Sequence, residues 1–559
     1  MEMNKRTVLW IVFSFSLILL WNQWMVANGK QSFFSPTPPP AASVAGPKAP
    51  ANGVPIASGA AGAAALPGAV PGVLPTAVAP RAETITITTD VIRADIDTAG
   101  GVIKRLELLK FRDGIDRTKN QVLFDVKPTG VYVAQTGLIA NAAGVGVPNH
   151  TTVFTAREGA RTLDANGQVQ LVLEAEQDGV KLTKTFTFKR GDYLIGMRHD
   201  VANLGTAPVA PSLYLQLQHH GNPPEGATWF NPSYTGPTLF TPAEGYQKLQ
   251  FETIEEKGRA EHVSAAKDGW VAISQHYFVS AFLPPANVQR EIFTKKVDTN
   301  LYAIGSILPL GTIAPGQTVT SNVRLYSGPQ DENKLETIAP GLELVKDYGW
   351  LVVLAKPIFW VIDQLHKIIG NWGWTIIVFT ILIKLLFFPL SAAGYKSMAK
   401  IKVVTPKMQA IRERYKNDPA KMNQATMELY KNEKINPLGG CLPILVQMPV
   451  FIALYYVLNA SAEMRGMPWV GWIQDLTAPD PYFILPILYA ISMFITTKLN
   501  PQPADPVQAK IMLMMPLAFS VMFVFFPAGL VLYWVVNNIL SIAQQWVITK
   551  KYETAAPAK

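Results

Sequence analysis

Hydrophobic residues follow two rhythms along the chain, and the change from one to the other divides it. From Glu83 to about Tyr326 apolar and polar side chains alternate with period two. Glu83–Asp97 (ETITITTDVIRADID) runs to a turn at Gly100-Gly101, and Val169–Glu176, Val180–Phe188, Tyr193–Val201 and Leu213–Gln218 repeat the style. Period two marks half-buried strands, and the Gly, Asn and Asp between the runs supply turns. The pattern predicts one large all-β sandwich within residues 83–342.

Beyond it the apolar positions run on without alternation. Trp372–Leu390 (WGWTIIVFTILIKLLFFPL) is long enough to cross a bilayer, which takes ~20 helical residues. Further spans are predicted at Cys441–Ala462, Tyr482–Lys498, Lys510–Phe525 and Leu530–Thr549. Near the start, Val8–Val26 follows Lys5 and Arg6. That run exceeds the ~7–15 residues of a signal-peptide core, so residues 1–27 read as a retained anchor. Residues 28–82 are rich in Pro, Ala and Gly without periodicity, which predicts a flexible tether. The expected fold is an α-helical polytopic membrane protein of six transmembrane helices, five of them in a core over residues 371–549, carrying a large all-β domain.

Glu343–Ile369 is apolar, yet Lys356, Asp363 and Lys367 fall at i, i+7 and i+11 on one stripe. This predicts an amphipathic helix lying in the interface over residues 343–370. As a span it would export the most basic loop of the chain, against the positive-inside rule. That loop carries Lys396, Lys400, Lys402, Lys407, Arg412 and Arg414, and Asn417-Asp418-Pro419 breaks it into a helical hairpin over residues 393–436. Its charge sets topology, and the same charge suits contact with anionic lipid headgroups or ribosomal RNA. Both termini then lie in the cytoplasm, with residues 550–559 as a short tail.

The net charge of +9 gathers beside the apolar runs, as topology requires, so DNA binding is not expected. Cys441 is the single cysteine, which excludes a disulfide framework. No metal-ligand spacing and no GxxxxGK[ST] occurs, so neither cofactor nor metal is expected. His219-His220 would be the candidates for catalysis in the β domain, but neighbours on a strand are expected to face opposite sides. Enzymatic activity is therefore not expected.

Polar residues recur inside the spans. Lys384 has Thr380 one turn before it, with Gly373 and Ser391 on roughly the same face. Gln447 lies in the next span and Ser492 and Thr496 in the one after; Asn537, Ser541 and Gln545 recur every fourth residue in the last. Hydroxyls and amides commonly join helices in membranes. Lys384 is different, since a cation at mid-membrane costs roughly 2.5–3.5 kcal/mol. Its stem could snorkel toward the headgroups. Yet the five spans contain no Asp or Glu, so Lys384 has no carboxylate to pair with there, and the acidic relays usual in ion-coupled transporters are missing. An unpaired cation among hydroxyls and amides implies a hydrated groove.

Three motifs complete the reading: Asn436-Pro437-Leu438-Gly439-Gly440-Cys441-Leu442-Pro443, Gln447-Met448-Pro449, and Phe526-Pro527-Ala528-Gly529-Leu530 with Tyr533. With them the chain resembles the YidC/Oxa/Alb family of membrane protein insertases, in the Gram-negative YidC form, over essentially its whole length. The resemblance implies a bacterial inner-membrane protein with its β domain in the periplasm, built as a supersandwich like that of sugar epimerases. It implies insertion and folding of nascent membrane proteins, alone or with the Sec translocon, through a cytoplasm-open groove with a basic residue in the second span. Lys384 stands at that position, where the family usually has Arg; Lys keeps the charge and loses the bidentate fork. The substrate groove would be lined by Lys384, Thr380, Gln447, Tyr533, Trp534, Asn537 and Ser541, with Trp534 replacing a common Tyr. The ribosome and targeting factor would meet the basic hairpin at Lys396, Lys400, Lys402, Lys407, Arg412 and Arg414, because the tail KKYETAAPAK is too short to tether a ribosome strongly. Two other readings stay open: a transporter or channel for a small anion, and a tethered sugar-processing enzyme.

Overall fold

Alternation along the strands becomes, in space, a sandwich with one wet and one dry side to most strands. The computed structural model describes residues 53–55, 82–140, 146–223, 234–416, 418–433, 442–500 and 506–555. The predicted anchor, most of the tether, Lys434, the Asn436–Cys441 motif residues and the last four residues lie outside that set. The β region holds two antiparallel sheets, of ten and nine strands. The first runs Thr84–Thr88, Ile92–Asp97, Val102–Arg112, Gly130–Ile139, Ser212–His220, Leu301–Pro309, Arg290–Asp298 and Ala265–Ala266, with two short strands paired at its side. The second is centred on Thr318–Pro329, flanked by Phe278–Leu283 and Leu194–Asn203. Val180–Lys189 buries every second residue, as period two demands. Trp270–Ser274 and Phe278–Leu283 are buried on both faces. One continuous core joins residues of both sheets.

Two expectations need correction here. Glu83–Asp97 is a hairpin rather than one run, because the Thr89 hydroxyl accepts from the amides of Val91 and Ile92 (3.2 and 2.9 Å) and closes a tight turn. His219 and His220 do not part to opposite sides: their rings stack at 4.5 Å in the last two positions of their strand. The polar stripe of the amphipathic helix has partners within the protein. Lys356 pairs with Glu332 (3.6 Å), and Asp363 is reached by Asn333 (3.5 Å) and Lys367 (2.8 Å), so the stripe turns to the neighbouring short helix.

The helices, numbered along the chain, are α1 (Phe251–Lys257), α2 (Glu332–Ile338), α3 (Val352–Ile369), α4 (Trp372–Leu386), α5 (Phe388–Arg414), α6 (Pro419–Asn432), α7 (Leu442–Ala460), α8 (Ile484–Leu499), α9 (Pro506–Met522) and α10 (Ala528–Ala555). Each face of α3 has a separate task. Lys356 and Asp363 meet α2, Ala355, Phe359 and Ile362 enter the helical core, and Val353, Trp360 and Ile368 stand exposed on the third side.

The predicted span Trp372–Leu390 is not one helix. It ends at Leu386, and α4 and α5 meet at a 67° bend around Phe387. Pro389 at the start of α5 suits a first turn, where no amide donor is needed. Among the described residues, Ala528–Lys550 alone is long and apolar enough to cross a membrane unaided; Val446–Ala460, Ile484–Leu499 and Lys510–Phe525 are shorter apolar helices. The basic hairpin forms as α5 and α6, with Asp418 capping α6 by accepting from the Lys421 amide (3.1 Å).

Candidate substrate groove in the helical region

The last helix, α10, organises the polar side chains of this region. Its residues Asn537, Ser541 and Gln545 repeat every fourth position, so they lie one above another on one face. Each meets a different helix or its end. The Gln545 amide donates to Asn500 Oδ1 at the end of α8 (3.0 Å). The Lys384 ammonium on α4 donates to Ser541 Oγ (2.6 Å), and that hydroxyl donates to the Asn537 carbonyl (2.7 Å). The Gln447 amide on α7 donates to Asn537 Oδ1 (3.1 Å). Asn538, one residue round the helix, donates to Ser492 Oγ on α8 (3.1 Å).

Four of the seven residues expected in the groove thus come together: Lys384, Ser541, Asn537 and Gln447. The other three do something else. Thr380 is fully buried and donates back to the Ile376 carbonyl (2.6 Å), a bond within its own helix. Tyr533 is buried in the apolar core, its ring stacked 6.4 Å from Phe451. Trp534 is boxed edge-on by Phe451, Tyr489 and Phe523, at 4.5, 5.6 and 5.3 Å. These aromatics hold α7, α8 and α10 together at one end of the polar ladder.

Lys384 is 6% exposed, and among the described residues no carboxylate pairs with it. A lysine carries three donors, and the Ser541 hydroxyl takes one. An ammonium held by a single rotatable hydroxyl is the group in this region with most left to offer an incoming acceptor. At the other end of α4, Gly373 admits a close neighbour: a Cβ there would lie 2.2 Å from the Trp469 ring. The six basic residues of the hairpin all lie on α5, with Lys407 paired to Glu433 (2.5 Å) and Arg414 against the Tyr415 ring (5.8 Å).

Sequence reading missed the partners that lie far apart in the chain, among them Lys346 with Glu463 and Arg465 with Gln121. Glu463 carried a signal, as an acid just after an apolar run, but nothing local pointed to its partner. A cavity of about 670 Å³ lies elsewhere, on the outer face of the nine-stranded sheet, lined by residues such as Arg157, Glu174, Thr185 and Arg324. Its charges largely satisfy one another, through Arg157 and Lys181 with Glu174 and Arg198 with Asp200. The region around Lys384 is therefore the stronger candidate. No group of three or more metal-ligating side chains occurs among the described residues.

Comparison with known proteins places both halves. The family described as the YidC periplasmic domain matches residues 84–361, and the family described as 60Kd inner membrane protein matches residues 364–555. The chain belongs to the YidC family. It is 57% identical to the membrane protein insertase YidC of Janthinobacterium sp. (strain Marseille) over 98% of this chain and 99% of that one. It is 58% identical to the YidC of Herminiimonas arsenicoxydans, over 98% of each. A solved structure of an active YidC insertase with its first transmembrane domain resolved covers 82% of this chain and 91% of its own, at 18% identity and a TM-score of 0.39. A galactose mutarotase related enzyme from Lactobacillus acidophilus covers 44% of this chain at a TM-score of 0.32. As a YidC, the chain pairs an antiparallel β periplasmic domain with a C-terminal helical region, in a family of inner-membrane insertases.

Proposed function

We propose that this YidC inserts and helps fold inner-membrane proteins by briefly holding the polar segment of a substrate at Lys384 while its apolar helix leaves sideways into lipid. The observation that carries this reading is the bond state of Lys384: buried, without a carboxylate partner among the described residues, and tied to one hydroxyl. The Gln447–Asn537 pair adds a second polar rung about one helical turn away, since Asn537 and Ser541 are four residues apart on α10. A path with such rungs lowers the cost of bringing backbone and acidic groups into an apolar region, and it couples to no ion or nucleotide. Nascent chains arrive from the cytoplasm, where the basic faces of α5 and α6 meet the ribosome, a targeting factor and anionic headgroups. The protein works alone or beside the Sec translocon. Topology follows the positive-inside rule, with several membrane spans and both termini in the cytoplasm.

The test uses the purified protein in liposomes and a short single-span substrate with an acidic N-terminal segment. Protease protection of that segment, with no nucleotide present, is expected with the native protein and is expected to drop with Lys384→Glu. Protection by the variant equal to the native protein would remove the electrostatic role, and protection no better than empty liposomes would remove unaided insertion.

A further inference from the structure

Where the β domain meets the helices, buried charge does a job the groove does not explain. The loop leaving α7 passes through a short turn, Ala462–Met464, and then crosses beneath the β sandwich. Glu463 in that turn accepts from Lys346 at 2.7 and 3.0 Å, and the Lys346 side chain is entirely buried. The same ammonium sits 3.7 Å above the Phe359 ring of α3, so three elements converge on it: the segment leaving the β domain, α3, and the end of α7. Two residues on, the Arg465 guanidinium lies 5.1 Å from both the Tyr277 and Phe278 rings and donates to Gln121 Oε1 (2.7 Å) and the Arg112 carbonyl (3.2 Å). The His276 ring meets the Asn459 carbonyl in the last turn of α7 (2.9 Å), and Arg117 pairs with Asp475 (3.3 Å). These contacts draw on residues of both sheets, so the loop is held by more than one tie.

We propose that this joint is a brace: the β domain, acting through Lys346–Glu463 and Arg465, fixes the outer end of α7 and thereby the position of Gln447 opposite Asn537. The proposal rests on the groove reading above. Its mechanical step is short: α7 is one helix from Leu442 to Ala460, with Pro449 removing one ladder bond next to Gln447, and its Ala453, Leu454 and Val457 pack in the same core as Ala355, Phe359 and Ile362 of α3. A helix pinned at its outer end and along one side transmits that position to its inner half. Lys346 and Glu463 act as positioning residues and touch no substrate. A buried pair is a fitting tie, since removing one partner strands the other charge without its counter-charge.

The experiment places one spin label at exposed Glu176 of the β domain and one at Met448 of α7, as cysteines in a full-length Cys441→Ala background in lipid nanodiscs. A single narrow distance is expected, broadening with Glu463→Gln, which keeps the shape and removes the charge. Arg465→Lys, which keeps the charge and loses the planar fork, is expected to broaden it less and serves if the first variant does not fold. Insertion measured in parallel should fall roughly tenfold with Glu463→Gln. An unchanged width in both variants overturns the brace, and so does a broadened width with native insertion. Native insertion by Lys384→Glu would instead overturn the groove reading, and the distance measurement would still judge the joint.

Discussion

Two lysines, one in each half of the molecule, are buried without a carboxylate among the described residues, and they are held in opposite ways. Lys184 in the sandwich donates to the Gly100 and Thr136 carbonyls, both at 2.7 Å, and sits 4.8 Å over the Phe154 ring. Its acceptors are backbone atoms of the facing sheet and cannot turn away. Lys384 donates to one side-chain hydroxyl that rotates and is itself a donor elsewhere. The first arrangement spends the donors of a lysine on fixing a fold; the second keeps them available. Burial alone does not separate a structural cation from a functional one, whereas the rigidity and number of its acceptors do.

The strongest way to sharpen this contrast is acid, because the β domain hides its titratable groups in a dry core. Burial holds His199 and His219 down to about 3, with Lys184 and His220 respectively adding to the effect, and holds His276 down to about 4. A depressed imidazole contributes stability that is complete above its unfolded value near 6.5 and is lost as pH falls below it. At pH 5 each ring sits ~1.5 units into that window, or ~2 kcal/mol each and ~6 kcal/mol together. Lys184, lowered by burial to about 7, works in another window: stability rises between 7 and 10.5 as the unfolded chain loses its proton. Thermal melts of the full-length protein, followed by β-sheet circular dichroism, should show a fall of many degrees from pH 7.5 to 5. Equal midpoints would mean that the rings charge within the fold.

Lys184→Ala should cost somewhat less, about 3–5 kcal/mol, from the vacated volume and two stranded carbonyls. Denaturant melts of the β domain in the intact protein check it. Little or no loss would show that Lys184 is as loosely held as Lys384, and the contrast would collapse.

How much of this was legible beforehand follows from how local each signal is. The strands Val169–Glu176 and Val180–Phe188 were visible because each carries its own alternation, and they are observed as Gln168–Gln177 and Val180–Lys189. The split of Glu83–Asp97 escaped because Thr89 closes its turn with a side-chain hydroxyl, with no glycine to announce it. The bend at Phe387 had a sign in Pro389, since a proline has no amide to donate and its ring crowds the carbonyl four residues back, but the apolar run on both sides masked it. In the candidate groove, the fourfold spacing on α10 showed which residues share a face, while it could not show that Thr380 bonds its own helix or that Trp534 is enclosed by aromatics. Lys346 and Glu463 are 117 residues apart and lie in unlike segments. Only packing brings them together, so no pattern along the chain could predict the pair.

Lys384→Ala should invert the outcome seen at Lys184. Removing a costly buried ammonium that has one soft partner is expected to change stability by less than ~1 kcal/mol, while insertion of a substrate with an acidic segment drops about tenfold, equivalent to ~1.4 kcal/mol. Melting and protease protection on the same preparation decide it. A large stability loss with insertion in proportion would make Lys384 a structural residue like its counterpart.

The smallest effect is the most discriminating one, at Ser541. Its oxygen accepts from Lys384 and its proton goes to the Asn537 carbonyl, so Ser541→Ala frees the ammonium and leaves the helix bonds of α10 in place. If the hydroxyl only aims the cation, insertion should fall about two- to threefold, or ~0.5 kcal/mol, the scale of a single neutral hydrogen bond. Ser541→Thr keeps the hydroxyl and should restore most of it. An untethered Lys384 would then be expected to lose its preference between acidic segments of different length, because a fixed ammonium meets one register and a free one meets several. Should Ser541→Ala instead match Lys384→Ala in size, the substrate would be bonding the hydroxyl directly, and the amine would be the group that holds Ser541 in place.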